Sequence, residues 1–288
     1  MPEKPGFHTG KVTLISFGHL VHDTYTSFLA PMLPLLIEKF SMSYSLSSLL
    51  GLLQRLPNLM NPFLGLLADR KGMKWLIIIS PSLTAIAMSL IGLAPSVTVI
   101  AVLLMVTGVS SALFHVPTPV MVRKVSGNQI GKGMSWYMFG GEIARTIGPL
   151  MVLGAISLWG MEGTWKLIPF ALVSSVLLYF KLRKFSITDE IRQESDLVGL
   201  KETFKKSTSF FIVLVGMTFF RSIMRSSLTT FLPTYMTIKG ESLWMGGIYL
   251  SVLEIAGAMG TLFWGYYSDK ILRWPEPVRM PNRSTWKK

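Results

Sequence analysis

Long apolar runs separated by short polar segments make up most of this chain. Eight runs of about 18 residues or more hold few charged side chains, and they lie at positions 12–37, 46–67, 75–93, 97–122, 134–158, 165–182, 210–236 and 243–266. An α-helix of this length crosses the roughly 30 Å of hydrocarbon in a bilayer. Open strands would leave backbone groups without partners in lipid. The pattern therefore predicts an all-α integral membrane protein with eight spanning helices.

The basic residues lie mostly in alternate segments between these runs. The net charge is +13, and 21 of the 28 Lys and Arg fall on the side of the N-terminus, against 3 on the opposite side. Such a bias is typical of cytoplasmic loops. We therefore expect a multi-pass protein of the cell (plasma or inner) membrane with both termini in the cytoplasm. The bias also explains the positive charge without a nucleic-acid partner, and it places basic side chains beside membrane lipid.

Changes in composition divide the chain into four segments. Residues 1–182 are expected to form a six-span bundle, 183–209 a cytoplasmic linker, 210–267 the first two spans of an incomplete second bundle, and 268–288 a basic cytoplasmic tail. Half a bundle has no evident packing partner, so we expect a truncated or frame-shifted product. An ordinary disordered tail is the alternative.

Two similar segments follow the second and the eighth apolar run. The first contains Gly65, Asp69, Arg70, Gly72 and Lys74, and the second contains Gly265, Asp269 and Lys270. The matched Gly and Asp are 200 residues apart in both cases, which indicates duplicated halves, a recurrent construction in transporters. Glycine lets neighbouring helices approach closely and permits the reversal of a loop, while the basic residues hold that loop in the cytoplasm.

The segment 65–74 resembles the signature loop between the second and third spans of the major facilitator superfamily. Within that superfamily, the chain is most similar to the fosmidomycin-resistance type of efflux protein. This similarity rests on His19-Leu-Val-His22-Asp23, Ser111-Ala-Leu-Phe114-His115, the segment 121–135, Gly140-Gly141 and Gly148-Pro149. One difference is Val116, because in the family a proline commonly follows the span-four histidine directly.

The resemblance implies a helical bundle of twelve spans in two six-helix halves. This chain would supply the complete N-terminal half and the first two helices of the second half. The resemblance also implies that spans one, four and seven line a central cavity, and that Asp69 latches the cytoplasmic gate through the N-terminal dipole of a late helix. That helix is missing from this chain, which leaves the latch role of Asp69 open.

Seven ionisable side chains lie well inside the predicted spans. They are Asp23, Arg55, Glu142, Arg145, Arg221, Arg225 and Glu254. Exposing each of them to lipid would cost about 3 kcal/mol. We therefore expect them to face the bundle interior, to pair with one another or to line a hydrated cavity.

The first span carries a polar face. His19, His22, Asp23 and Thr26 follow the helical spacing i, i+3, i+4 and i+7. A proton relay is one interpretation, since histidine exchanges protons near neutral pH. A hydrogen-bonded seam that only packs helices is the other. A transporter cavity explains these side chains without a metal ion, so we predict neither a metal site nor a cofactor.

Two arginines of the seventh span lie one turn apart. Arg221 and Arg225 repel each other, so something anionic should neutralise them. A phosphonate, phosphate or carboxylate group of a substrate is one candidate. Asp23 or Glu254 is the other.

The remaining candidates also leave alternatives open. Glu142 and Arg145 are three residues apart and can pair within their helix, although Glu142 is also a candidate proton-coupling carboxylate, as is Glu254. Arg55 of span two is a candidate cavity residue. His115 of span four either packs against its neighbours or contributes to the cavity.

Signatures of metalloproteases, serine hydrolases, nucleotide-binding enzymes and dinucleotide-binding enzymes are not found in the sequence. We therefore expect no enzymatic activity, and transport driven by an ion gradient. The sequence predicts a proton-coupled secondary transporter that exports small anionic or amphiphilic compounds by alternating access. An uptake symporter for an organic anion is one alternative, and a truncated product without transport activity is another. The sequence does not determine whether the chain forms an oligomer or needs a second polypeptide that supplies the missing half.

Overall fold

The structure is a computed structural model that describes residues 6–68, 73–127, 129–183 and 207–271. Its α-helices are α1 (Thr9–Thr26), α2 (Leu29–Phe40), α3 (Tyr44–Arg55), α4 (Asn61–Ala68), α5 (Met73–Ser89), α6 (Val97–His115), α7 (Pro117–Val125), α8 (Ile130–Trp159), α9 (Ile168–Leu182), α10 (Thr208–Ile238) and α11 (Leu243–Ile271). Short 3₁₀ segments cover Leu56–Met60, Ile91–Leu93 and Met161–Leu167. No strand occurs within these residues, and the predicted all-α fold is confirmed.

Most of the predicted spans are continuous helical stretches. Six stretches of the described residues are long and apolar enough to cross a membrane: Lys74–Leu93, Val97–Val125, Ile130–Trp159, Met161–Leu182, Thr208–Ile238 and Leu243–Gly260. They correspond to the third through the eighth predicted run. The first two runs are not among these stretches, and each is divided into two α-helices; the fourth run is also interrupted, at Val116 between α6 and α7.

Local backbone chemistry accounts for these divisions. Between α1 and α2, Ser27 Oγ donates to the carbonyl of Thr24 at 2.7 Å, and such side-chain bonds compete with the helical ladder. Pro31 has no N–H with which to continue that ladder across the break. In the second run, Pro57 lies at the start of the 3₁₀ segment Leu56–Met60, which separates α3 from α4.

Helix α1 is the central element of the first six predicted spans. It packs against α5, α8 and α9. One apolar cluster surrounds Tyr25, Phe28 and Met32, and another surrounds Val12 and Ile15. The polar side chains of α1 lie along the helix between these two clusters, so they are enclosed by packed apolar layers.

The last two described helices contact helices of the first six predicted spans directly. Helix α10 packs against α2 and α11, and α11 packs against α8. Large apolar side chains on the outer surface are exposed, among them Phe170 and Phe180 of α9 and Phe220 of α10. A bilayer provides the apolar surroundings that such a surface requires.

The two similar segments that contain Gly65 and Gly265 are only partly described. Asp69, Arg70 and Gly72 lie outside the described residues, as do residues 184–206 of the predicted linker (183–209) and residues 272–288 of the predicted tail (268–288). The prediction is wrong for 208–209 and 268–271, which belong to α10 and α11. Gly65 lies in α4, and the second segment lies within α11, which continues as a helix to Ile271 instead of forming a loop after residue 266; this covers Gly265, Asp269 and Lys270. Lys74 Nζ donates to the carbonyl of Arg183 at 2.9 Å.

Glycines let α8 lie directly against α1. A Cβ atom at Gly140 would lie 2.5 Å from the carbonyl oxygen of Ser16. A Cβ atom at Gly148 would lie 2.5 Å from the carbonyl oxygen of Thr24. Backbone atoms cannot move aside as a flexible side chain can, so any larger residue must separate the two helices.

We expect Gly140→Ala to destabilise the protein by about 1–3 kcal/mol, because the added methyl group overpacks the α1–α8 contact. Gly154→Ala is the matched control on the same helix, since a Cβ atom there would meet nothing within 4 Å. Thermal unfolding of the two variants in detergent provides the comparison. Equal midpoints for the two variants would contradict the close approach.

Candidate functional site

Asp23 lies at the centre of a buried cluster between α1, α6 and α8, and only 4% of the residue is exposed. Its Oδ1 lies 3.0 Å from His22 Nδ1 and 3.2 Å from His115 Nε2. Its Oδ2 lies 3.2 Å from His19 Nε2 and 3.0 Å from Arg145 Nη1. Four basic side chains therefore surround one carboxylate.

Helical spacing and a glycine together build this arrangement. His19 precedes Asp23 by one helical turn and lies on the same face of α1, and the adjacent His22 contacts the other carboxylate oxygen, so α1 alone supplies two of the rings. Arg145 reaches Asp23 from α8 because Gly141 makes room for the ring of His19. A Cβ atom at Gly141 would lie 2.5 Å from His19 Cε1.

Aromatic rings and hydrogen bonds hold the histidines in place. His19 stacks on Tyr137 with the ring centroids 4.0 Å apart, and its Nδ1 lies 2.7 Å from the Tyr137 carbonyl oxygen. His22 stacks on Phe114 at 4.5 Å, and its Nε2 lies 3.1 Å from Thr84 Oγ1. His115 Nδ1 lies 3.3 Å from the hydroxyl of Tyr137.

A second group of charges continues from this cluster into α10 and α11. Arg145 Nη2 lies 2.5 Å from Glu142 Oε1, which is the intrahelical pair considered from the sequence, and Arg145 Nε lies 3.5 Å from Glu254 Oε2. Arg225 Nη2 lies 2.9 Å from Glu254 Oε2 and 3.5 Å from Glu142 Oε2. Three carboxylates and two guanidinium groups thus form one network, which joins helices of the two predicted halves.

The arginines of span seven have different surroundings. Arg225 pairs with Glu254, one of the two acids considered from the sequence, whereas Asp23 pairs with Arg145. Arg221 lies beside a second pocket and has no ion pair within the described residues. The two arginines therefore differ in their charge partners, although both line the second pocket.

A cavity of about 240 Å³ lies beside the ion-pair network. Arg145 and Glu254 form part of its wall, together with Thr26, Gln54, Arg55 and Asn58. Arg55 has no carboxylate partner among the residues that the structure describes. The cavity therefore presents an unpaired guanidinium group next to polar hydrogen-bonding side chains.

Sequence reasoning did not identify Tyr137 or Thr84, and it named Phe114 only as part of a motif and not as a site residue. All three contact the histidines of the cluster from other helices. An isolated Thr or Phe in an apolar span carries no signal of its own, because its contact with a histidine depends on how distant helices pack.

Ligand atoms of His19, Asp23 and His115 all lie within 4.8 Å of one another. Two imidazoles and a carboxylate are a donor set that transition metals accept. Arg145 Nη1 already forms an ion pair with Asp23 Oδ2 at 3.0 Å, and its positive charge would repel a divalent metal ion. The arrangement favours ion pairs and protons over a metal, and we assign none.

Comparison with known proteins gives the same family as the sequence motifs. The model of the Major Facilitator Superfamily matches residues 15–280. The chain is 26% identical over 271 residues to the Fosmidomycin resistance protein of Escherichia coli (strain K12), covering 92% of this chain and 66% of that protein. It is 24% identical over 272 residues to the Multidrug resistance protein MdtG of Proteus mirabilis (strain HI4320), covering 90% and 67%.

A solved structure has the same fold. It is a bacterial homolog to the human lysosomal transporter Spinster, in an inward-facing and unoccupied conformation, with a TM-score of 0.70 and 18% identity. The match covers 94% of this chain and 64% of that one. The chain therefore spans about two thirds of the length of the proteins it matches.

The family match extends over most of the chain, and six long apolar helices of the described residues agree with it. The resemblance inferred from the loop at 65–74 and from the histidine motifs is confirmed. This chain belongs to the major facilitator superfamily and is a multi-pass, all-α membrane protein.

Proposed function

We propose that this protein is a secondary transporter that exports small anionic or amphiphilic compounds in exchange for protons, by alternating access. Membership of the major facilitator superfamily supports transport. The printed names of the two curated relatives, which concern resistance to fosmidomycin and to multiple drugs, support efflux. Its location in the cell membrane with cytoplasmic termini is part of the same proposal.

One observation carries the proposal: Arg145 bridges acidic groups on helices of both predicted halves. It contacts Asp23 on α1 and Glu254 on α11, and Arg225 of α10 contacts Glu142 on α8. A proton taken up beside any of these carboxylates weakens its hold on a guanidinium group. Proton uptake would therefore change the contacts between the halves, which is what coupling to a rocking motion requires.

The sequence-based hypothesis paired Asp23 with Arg221 or Arg225, and the geometry changes its partner to Arg145. In this geometry, the substrate anion and the Asp23 carboxylate would compete for Arg145. A substrate anion in the cavity would contact the unpaired Arg55 and approach Arg145. Protonation of the Asp23 cluster would free Arg145 to bind the substrate anion. Loss of that proton later in the cycle would return Arg145 to Asp23 and release the anion.

Transport direction distinguishes the export proposal from its alternatives. Inverted vesicles that contain the chain are given an imposed pH gradient, with fosmidomycin as the probe because it is named for one relative. We expect accumulation inside inverted vesicles when their lumen is acidic. Accumulation in right-side-out vesicles with an acidic exterior would indicate an uptake symporter. No gradient-dependent movement by the membrane-inserted chain would contradict transport by these 288 residues.

We expect Arg55→Gln to reduce fosmidomycin transport at low substrate concentration by about tenfold or more, because a charge-assisted hydrogen bond to the anion is lost. Arg221→Gln is the matched control, since it removes the same charge from a position outside the cavity. The measurement is the initial rate against substrate concentration in inverted vesicles. Equal losses in both variants would remove Arg55 from the substrate site.

A further inference from the structure

The hydrogen-bond partners of two histidines determine where a proton is held. His19 Nδ1 faces the Tyr137 carbonyl oxygen at 2.7 Å, and its Nε2 faces Asp23 Oδ2 at 3.2 Å. A backbone carbonyl and an ionised carboxylate both accept hydrogen bonds and cannot donate them. Both ring nitrogens of His19 can donate only when the ring is a positively charged imidazolium.

His22 has a comparable environment through a chain of hydroxyl groups. Ser110 Oγ lies 2.9 Å from the Ser80 carbonyl oxygen, so its single hydrogen is donated there. Thr84 Oγ1 lies 2.8 Å from Ser110 Oγ and must therefore donate to it. The free lone pair of Thr84 Oγ1 is left to accept from His22 Nε2 at 3.1 Å.

The second nitrogen of His22 faces an acceptor as well, since Nδ1 lies 3.0 Å from Asp23 Oδ1. Four hydrogen bonds run in series from the Ser80 carbonyl through Ser110, Thr84 and His22 to Asp23. All four are made only when His22 carries a proton on each nitrogen. With a neutral ring, either the Asp23 contact or one contact of the hydroxyl chain loses its hydrogen. The hydroxyl pair thus favours the protonated ring by about one hydrogen bond.

We infer that His19 and His22 are the groups that take up the proton, that Asp23 stays ionised between them, and that Thr84 with Ser110 positions His22 for this role. Only the role of this proton in driving transport rests on the proposed function. The hydrogen-bond directions stand independently of transport.

The surrounding charges are compatible with uptake at the rings. The network of Asp23, Glu142, Glu254, Arg145 and Arg225 carries a net charge of −1 when every histidine is neutral. One imidazolium neutralises that charge. His115 on α6 also faces Asp23, and Tyr137 on α8 is the remaining titratable neighbour. Protonated rings then compete with Arg145 for the Asp23 carboxylate, which links proton uptake to the contact between the halves.

Nitrogen-15 NMR of the purified full chain, labelled only at its four histidines, tests the inference without any transport. His19→Gln and His22→Gln assign the two resonances, and His8 serves as an internal reference outside the cluster. On acidification we expect the His19 and His22 resonances to change to imidazolium shifts, while the carboxyl group of Asp23 stays ionised. An infrared band of a protonated carboxyl group that disappears in Asp23→Asn would overturn the assignment to the rings.

The positioning role of Thr84 has its own test. Thr84→Val removes the acceptor at nearly constant volume, and we expect the ratio of protonated to neutral His22 at fixed pH to fall about tenfold, the equilibrium value of one hydrogen bond. Thr84→Ser should restore the ratio, and Ser110→Ala should lower it. Thr164→Val, which removes a buried hydroxyl bonded to Ser89, is the matched control. An unchanged His22 spectrum in folded Thr84→Val or Ser110→Ala would overturn the positioning role.

Discussion

Asp23→Asn is expected to abolish transport driven by a pH gradient while leaving membrane insertion intact. The carboxylate is the common partner of three imidazoles and of Arg145, and 4% of the residue is exposed. An asparagine has nearly the same shape but no charge, so it can neither stabilise an imidazolium nor hold the guanidinium group. Fosmidomycin movement in inverted vesicles should fall to the level of vesicles without the protein.

Glu162→Gln is the matched control for this substitution. It also neutralises an acid, but Glu162 is exposed and lies 3.8 Å from its partner Lys39. Surface pairs of this kind contribute little, so gradient-driven transport should be unchanged. Full coupling in Asp23→Asn, with the variant inserted at normal levels, would remove Asp23 from the mechanism.

Arg145→Met is expected to lower the stability of the folded protein by about 3 kcal/mol. Arg145 contacts three carboxylates through three different nitrogens, and 27% of its side chain is exposed to the cavity. Removing one partner of a buried network leaves uncompensated charges, which is far more destabilising than the net contribution of a pair. Three acids would then face the single remaining guanidinium of Arg225. Thermal unfolding in detergent measures the loss.

Two further variants separate charge from packing at Arg145. Arg145→Lys keeps the charge but has one ammonium group in place of a three-nitrogen fork, so its stability should be intermediate. Arg145→Met combined with Glu142→Gln removes one of the stranded charges and should recover part of the loss, which gives a coupling energy from a double-mutant cycle. A single Arg145→Met variant as stable as the unsubstituted protein would contradict the network.

Divisions within the first two spans show one limit of hydropathy. Residues 12–37 form one apolar run, and the run predicts one helix. The break near Ser27 depends on a hydroxyl-to-backbone bond and on Pro31, neither of which lowers the apolar character of the window. Hydropathy therefore predicts the length of a membrane crossing better than the continuity of its helix.

The histidine cluster shows a second limit. Spacing along α1 places His19, His22 and Asp23 on one face, and the structure keeps them together. The spacing contains no information about His115, which was considered mainly as a packing residue and lies 3.2 Å from Asp23. Its proximity depends on how α6 packs beside α1.

The sequence alone determined the membrane class, the helical fold and the family, because span length, charge bias and a short loop motif are properties of consecutive residues. It also showed that seven charges needed partners inside the membrane. Only the tertiary structure decided which charges pair, since Asp23 and Arg145 are 122 residues apart and meet through the close packing of α1 on α8. The packing of other helices leaves Arg55 facing a cavity without a carboxylate partner among the described residues, and it places the hydroxyl of Thr84, which is bonded to Ser110, beside His22. Contacts of this kind depend on distances and directions between helices, which a linear pattern does not contain.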